Sequence, residues 1–405
     1  LDTPKPARGP SIGLRAGSLI AARLSVPFSR ASSRASANAG RIAIMYNKDL
    51  TTNGSKPNAL THRVMVGGVP LGGGAPVVVQ SMLNAPADSV DANVSQIEAL
   101  ADAGCEVVRM AIPHRKYLDV FEEVCKRSPL PVVADVHFDA QIAIEAARRG
   151  AAKLRINPGN IGGLEKTDAV LDAAGEAGIP IRIGVNAGSL DQELAARDDL
   201  TLPEKLAASA ASYVRYCEGR GFRNLVVSAK AHDVMTTVRT YRMLAREIPE
   251  VPLHIGITEA GTRFQGVVKS ASGLGILLEE GIGDTMRISL TDDPVVEMRA
   301  CWTLLSALDL RRRGPEIISC PTCGRCQVNL IDLATQVEAR LQSVKAPVKV
   351  AVMGCVVNGP GEARDADIGV ACGDGVGVVF KGGQVLRKVE EHAIVDVLME
   401  EIGKL

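Results

Sequence analysis

Between about residues 60 and 300, apolar residues follow two alternating patterns. Short runs rich in Val and Ile recur at 77–82, 106–112, 131–136, 153–157, 181–186, 224–230, 253–259 and 285–290. Stretches with apolar positions at helical spacing lie between them. Strands that alternate with helices pair in parallel through right-handed crossovers, and eight strands close a barrel. The pattern therefore predicts an α/β fold, a (β/α)8 TIM barrel. After about residue 303 the pattern changes. A helix-period stretch at 328–341 is followed by strand-like runs at 348–352 and 368–371. A hairpin signal at 377–380 comes next, with Gly382 and Gly383 at its turn, and a last amphipathic stretch covers 392–402. Strands and helices mixed in this way read as a small α+β domain. The expected division is a leader at 1–44, a barrel at 45–302 and a second domain at 303–405.

Composition narrows the class. The 405 residues carry 46 basic and 46 acidic side chains, so no overall field exists to attract nucleic acid or anionic lipid. No apolar run approaches the roughly 18 residues of a membrane span. Nine cysteines, an odd number scattered through a long chain, fit reduced thiols of the cytoplasm better than a disulfide scaffold. Residues 1–44 differ from the rest. They hold six Arg and one Lys against one acid, Asp2, with many Ser and Ala, and the first Met is Met45. That bias fits either an organelle transit peptide or a disordered leader.

The predicted strands end in polar residues that a buried strand does not need: Arg109, Asp135, Arg155 with Asn157, Arg182 with Asn186, Lys230, Thr258 with Glu259, and Arg287 with Ser289. Any one of these could simply face solvent. In a (β/α)8 barrel, however, strand C-termini share one mouth, so four arginines and a lysine there would form an anion receptor. Guanidinium forks match phosphate oxygens, and several could hold a diphosphate. Glu259, a carboxylate at a cationic mouth, could act as an acid or base or be tied in an ion pair. His137 and His254 fit a hydrogen-bonded role, in the core or supporting the site residues, better than metal ligation.

The second domain carries thiol chemistry. Cys320 and Cys323 form a CxxC step that Cys326 extends, and Cys355 opens the segment Cys-Val-Val-Asn-Gly-Pro-Gly-Glu that ends at Glu362. Three thiols and a carboxylate can surround an iron-sulfur cluster that keeps one exchangeable position. A structural zinc site is the alternative, although no His lies between Cys320 and His392. A redox-active thiol pair is a third. Cys105, Cys125, Cys217, Cys301 and Cys372 sit in patterns typical of small buried residues.

The residues resemble the bacterial 4-hydroxy-3-methylbut-2-en-1-yl diphosphate synthase family. The resemblance is carried by Val79-Gln80-Ser81-Met82, Ala134-Asp135-Val136-His137-Phe138, Arg155-Ile156-Asn157-Pro158-Gly159-Asn160 and Ile183-Gly184-Val185-Asn186. It continues through Gly256-Ile257-Thr258-Glu259-Ala260-Gly261, Arg287-Ile288-Ser289-Leu290 and both thiol motifs, in unbroken order over about 60–400. It implies a TIM barrel that binds 2-C-methyl-D-erythritol 2,4-cyclodiphosphate, followed by a domain with one 4Fe-4S cluster per chain. The implied reaction opens the ring and removes a hydroxyl as water, with two electrons from reduced flavodoxin or ferredoxin.

By the same resemblance, the cluster ligands fall on Cys320, Cys323, Cys355 and Glu362, which leaves Cys326 a bystander. Substrate-binding positions fall on Arg109, Asp135, Arg155, Arg182, Asn186, Lys230, Thr258, Arg287, Ser289 and Asn358, and the proton-transfer carboxylate falls on Glu259. The family also implies a head-to-tail homodimer. Its plant-type members carry an insertion between barrel and cluster domain that this chain lacks, which favours a bacterial cytoplasmic enzyme over a transit peptide. Two other classes predict different residues. A zinc ribbon fused to a phosphate-binding barrel would have no redox chemistry. A radical enzyme using S-adenosylmethionine needs a CxxxCxxC near the first strand, and residues 60–100 contain no Cys.

Overall fold

The computed structural model describes residues 60–190, 192–355, 361 and 364–405. The leader at 1–44, Asn358 and Glu362 lie outside the described residues. The described chain opens with an antiparallel hairpin, β1 (Val64–Val66) and β2 (Val69–Leu71). The barrel strands follow: β3 (Val78–Met82), β4 (Val107–Ala111), β5 (Val132–Asp135), β6 (Lys153–Ile156), β7 (Ile181–Asn186), β8 (Leu225–Lys230), β9 (His254–Ile255) and β10 (Thr285–Met286). They pair in parallel in the order β8-β7-β6-β5-β4-β3-β10-β9. A parallel bridge between Val227 and Leu253 closes the ring from β8 to β9.

The helices between the strands are α1 (Val90–Asp102), α2 (Leu118–Arg127), α3 (Ala140–Arg148), α4 (Leu164–Glu176), α5 (Gln192–Ala195), α6 (Leu202–Gly219), α7 (Val234–Glu247), α8 (Arg263–Glu279) and α9 (Pro294–Ala307). Several begin where the sequence supplies a cap. The Ser89, Asp139, Asp233 and Asp293 side chains each accept a bond from an otherwise unpaired first-turn N–H. Thr201 and Glu204 form a capping box at α6.

Side chains alternate faces along each strand, so steps of two residues climb the barrel interior. Val78, Val107, Val133 and Val226 form an apolar floor against Val64, Val66 and Leu71 of the hairpin. Above the floor the interior turns polar, with Gln80, Lys153, Arg182, Ser228, His254 and Thr285 all buried. Arg109, Asp135, Arg155, Lys230 and Arg287 join Arg182, whose strand position is level with Arg155, at the mouth. All eight predicted strands are present. The hairpin that plugs the floor was not anticipated, because two runs of three residues fall below the length at which alternation is legible.

The C-terminal unit contains β11 (Glu316–Ser319), α10 (Leu330–Leu341), β12 (Lys349–Met353), β13 (Ile368–Gly373), β14 (Val376–Lys381), β15 (Gln384–Glu390) and α11 (Ile394–Ile402). The sheet order follows the chain, with β11, β12 and β13 parallel and β13, β14 and β15 antiparallel. Leu333 and Val337 of α10 and Ile394 and Leu398 of α11 pack with Val350, Val352, Ile368 and Val370 of the sheet. β11 was missed by the sequence reading; its position matters because it delivers Cys320. The linker is tied to the barrel before this unit begins. Arg311 donates to Val77 O (2.6 Å) and Glu106 (2.7 and 2.8 Å) and stacks on Trp302.

Asp284, just before β10, is buried and accepts bonds from Leu253 N (2.8 Å) and Thr61 Oγ1 (2.9 Å). Burial outweighs these bonds and raises its carboxyl to about 6. The folded state then holds the proton more tightly than the unfolded state. Its contribution to stability is full below the unfolded value and is lost as pH rises through about 6. In denaturant titrations, Asp284→Asn should gain on the native chain by up to about 3 kcal/mol between roughly pH 4 and 7. A stability difference that stays flat over that range contradicts this reading.

Candidate active site: a cationic barrel mouth and a thiol loop

Asp135, at the end of β5, organises one side of the mouth. Its carboxylate lies 3.1 Å from Arg155 Nη1, 3.7 Å from Arg109 Nε and 3.5 Å from His137 Nε2. His137 Nε2 is also 2.8 Å from Arg155 Nη1. On the other side the buried Glu297 of α9 accepts from Arg287 (3.1 and 3.2 Å), Ser81 Oγ (3.2 Å) and Leu290 N (3.1 Å). Arg109 and Arg287 converge on the Met82 sulfur at 2.7 and 3.4 Å. Two strand glycines make room for the cations. A Cβ on Gly184 would lie 2.5 Å from Arg155 Nε, and one on Gly256 would lie 2.5 Å from Lys230 Nζ and 2.7 Å from Arg287 O.

The charges do not balance. Arg109, Lys153, Arg155, Arg182, Lys230 and Arg287 face Asp135 and Glu297, a clear cationic excess in a low-dielectric interior. Burial pulls Arg109 down to about 10, with Arg287 and Arg155 adding to the shift against Asp135. Burial, then repulsion from Arg182 and Arg109, lowers Lys230 far below the usual lysine range, and the same neighbours lower Lys153. Arg182 is likewise depressed by burial and then by Arg109 and Arg155. Burial opposes ionisation of Asp135, but Arg109, His137 and Arg155 prevail and hold it well below the carboxylate range. Arg182 Nε and Nη2, Arg155 Nε and Arg109 Nε are buried without a hydrogen-bond partner among the described residues. Such donors suit an anionic ligand with several oxygens.

Glu259 stands at the end of the β9 run, exposed, with φ of 52° in the left-handed region. A non-glycine residue held there costs on the order of 1 kcal/mol or more, and such strain clusters at functional sites. Thr258 is half-buried, and its N–H donates to Ala231 O (3.2 Å) just beyond β8. Asn186 and Ser289 are half-buried at the ends of their strand runs.

Parallel pairing brings the two thiol motifs together. Ser319 of β11 is level with Val352 of β12, so Cys320 and the segment Gly354-Cys355 leave the sheet side by side. Gly354 N donates to Cys320 Sγ at 3.3 Å, and Gln327 N donates to Gly354 O at 3.3 Å. A Cβ on Gly354 would lie 2.6 Å from Cys326 Sγ, so only glycine lets the loop close this far. Cys320 and Cys355 are half-buried and Cys323 is exposed. Among the described residues no three His, Cys, Asp or Glu side chains gather as a formed metal centre. The donor set nevertheless fits an iron-sulfur cluster: thiols from both motifs flank one backbone N–H already directed at sulfur.

The comparisons with known proteins follow the same division of the chain. Residues 61–302 match the GcpE TIM-barrel domain, and residues 316–404 match the GcpE protein C-terminal domain. The chain belongs to the GcpE family. Similar relatives are named 4-hydroxy-3-methylbut-2-en-1-yl diphosphate synthase (flavodoxin). That of Geobacter sulfurreducens is 51% identical over 347 residues, covering 86% of this chain and 98% of the relative. That of Maridesulfovibrio salexigens is 50% identical, covering 84% and 96%, and that of Aquifex aeolicus is 49% identical, covering 85% and 96%. Among solved structures, dihydropteroate synthase of Yersinia pestis is 15% identical, covers 61% of this chain and 98% of its own, and has a TM-score of 0.45.

In this GcpE-family chain, Arg109, Asp135, Arg155, Arg182, Lys230 and Arg287 are brought together at the mouth. Of the two roles expected for His137, in the core or supporting the site residues, its position is the second: it lies past the end of β5, exposed, against Asp135 and Arg155. Glu297 and Met82 were not singled out for the site, since a helix carboxylate and a strand Met give no signal in sequence. Gln80 and Lys153 were legible only as parts of buried runs. The other five cysteines behave as structural thiols, and burial pushes Cys105, Cys125, Cys217, Cys301 and Cys372 up to about 12.

Gly184→Ala should displace the Arg155 guanidinium and weaken inorganic diphosphate binding by about tenfold, equivalent to about 1.4 kcal/mol. The clash is with the far end of a side chain, so stability should fall only slightly. Unchanged affinity by calorimetry contradicts a binding role for Arg155.

Proposed function

We propose that this chain converts 2-C-methyl-D-erythritol 2,4-cyclodiphosphate into 4-hydroxy-3-methylbut-2-enyl diphosphate, a reductive ring opening and dehydration that supplies isoprenoid precursors. The observation that carries the reading is the cationic excess at the mouth, in a chain about half identical to synthases of that name along nearly their whole length. Arg109, Arg155, Arg182, Lys230 and Arg287 hold the diphosphate, with Asn186 and Ser289 adding neutral contacts. Asp135 keeps Arg109 and Arg155 in register, and Thr258 and Asn358 are the further substrate-binding residues that the family resemblance implies.

Breaking the carbon–oxygen bond of the ring leaves new negative charge on the released phosphate. The arginines are already in place to receive it, which stabilises the transition state more than the ground state. Holding both phosphates also fixes the orientation of the reacting carbons. Glu259 supplies the proton with which the hydroxyl leaves as water. Cys320, Cys323, Cys355 and Glu362 would hold one 4Fe-4S cluster, which when bound supplies the two electrons singly. Reduced flavodoxin is the electron donor, in keeping with the relatives' names, and ferredoxin is the alternative.

Residues 45–302 and 303–405 act as two units, the second of one chain capping the barrel of another in a head-to-tail homodimer. Separate hydrophobic cores in the barrel and the C-terminal sheet support the division. Among the described residues no helix is long and apolar enough to cross a membrane, and a cytoplasmic setting suits a cluster held by reduced thiols.

The test is anaerobic purification with iron, sulfide, zinc and turnover analysis of the native chain, Cys355→Ala and Glu259→Gln. The native chain should carry about four iron and four sulfide and be brown. Cys355→Ala should lose the colour. Glu259→Gln should keep it but lose on the order of a hundredfold in kcat. One zinc and no colour overturns the redox reading, and native turnover by Glu259→Gln removes its catalytic role.

A further inference from the structure

Glu297 is a buried carboxylate to which the proposed reaction assigns no part. It lies in the first turn of α9, where Asp293 caps the helix and the N-terminal dipole favours negative charge. Its acceptor capacity is fully used. Oε1 accepts from Arg287 Nη2 and Leu290 N, both at 3.1 Å, and Oε2 accepts from Arg287 Nε and Ser81 Oγ, both at 3.2 Å. Two bonds on each oxygen leave no lone pair for a substrate proton, in contrast to the exposed Glu259. Glu297 can therefore act only through the groups it holds.

Nε and Nη2 of Arg287 meet Glu297 as a fork, which fixes the plane of the guanidinium and leaves Nη1 on its far side. Among the described residues Nη1 meets the Met82 sulfur at 3.4 Å, a weak acceptor that Arg109 Nη2 also reaches. The bond from Leu290 N holds the backbone next to Ser289, and the bond from Ser81 ties the carboxylate to β3. We infer that Glu297 is a positioning residue for the diphosphate, orienting Arg287 Nη1 toward the anion and fixing the segment that carries Ser289. The inference rests on the proposed reading of the mouth as a diphosphate receptor. Charge and orientation predict opposite outcomes. If the mouth attracted anions by charge alone, removing the Glu297 charge would increase the cationic excess and tighten binding. If Glu297 orients Arg287, its loss weakens binding in spite of the added positive charge.

The test is calorimetry of inorganic diphosphate on the full chain, arranged as a double-mutant cycle. Glu297→Gln should weaken binding by about tenfold, because whichever way the amide turns, its NH2 faces one N–H of the Arg287 fork. In an Arg287→Ala background the same change should weaken binding by less than about twofold or tighten it, since the fork is already gone. Glu297→Asp keeps two acceptor oxygens on a shorter arm and should recover part of the loss. If Glu297→Gln does not fold, Glu297→Asp takes its place in the cycle, with about threefold weakening expected when Arg287 is present. Unchanged or tighter binding by the Glu297 variant overturns the inference, because charge alone would then account for the mouth. Equal weakening with and without Arg287 also overturns it, because Glu297 would then be a support of the fold. A native chain that does not bind diphosphate overturns the reading of the mouth itself and this inference with it, a result visible before any variant is compared.

Discussion

A guanidinium or ammonium group held inside protein without an equal number of carboxylates is destabilising, and this barrel sets the buried Lys153, Arg155 and Arg182 and the partly buried Arg109, Lys230 and Arg287 against Asp135 and Glu297. The surrounding structure is arranged to tolerate that imbalance. The apolar hairpin closes the floor, Gly184 and Gly256 clear space for Arg155 and Lys230, and the two carboxylates each bind more than one partner. The depressed ionisation of Lys153, Arg182 and Lys230 measures the imbalance, in each case through burial first and neighbouring cations second. The same imbalance leaves Arg109, Arg155 and Arg182 with buried donors that have no partner among the described residues, an arrangement suited to an anionic ligand.

The C-terminal unit solves a different problem, bringing distant thiols together. Parallel pairing of β11 with β12 sets the ends of two strands side by side although more than thirty residues separate Cys320 from Cys355. Gly354 then permits close approach of the loop, and its N–H already points at Cys320 Sγ. The linker anchored by Arg311, Glu106 and Trp302 ties the start of this unit to the barrel.

The repeating strand-helix pattern made the barrel legible, because each strand is buried enough to show as an apolar run and each ends in a polar residue. Arg109, Arg155, Arg182, Lys230 and Arg287 could be named for the mouth on that basis. Elements that depend on few residues were not legible: the β1–β2 hairpin and β11. The runs at 253–259 and 285–290 were legible as strands, but only two residues of each pair, as β9 and β10. For His137 the sequence left open whether it sits in the core or supports the site residues, and its contacts with Asp135 and Arg155 decide for the second. The placement of Lys153, Gln80 and His254 inside the barrel depends on which face of a strand meets the barrel axis. That is fixed only once the ring closes.

The central claim is that the barrel interior is short of negative charge until its ligand arrives. Calorimetry of cyclodiphosphate binding without reductant, at about pH 8 in buffers of different ionisation enthalpy, tests it most directly. Each ring phosphate carries a single strongly acidic group, so the ligand itself does not titrate near that pH. Binding should draw protons onto Lys230 and Lys153 and register as net proton uptake that depends on the buffer. No proton exchange, or net release, would mean that the buried cations are already fully charged and compensated, and the account would fail.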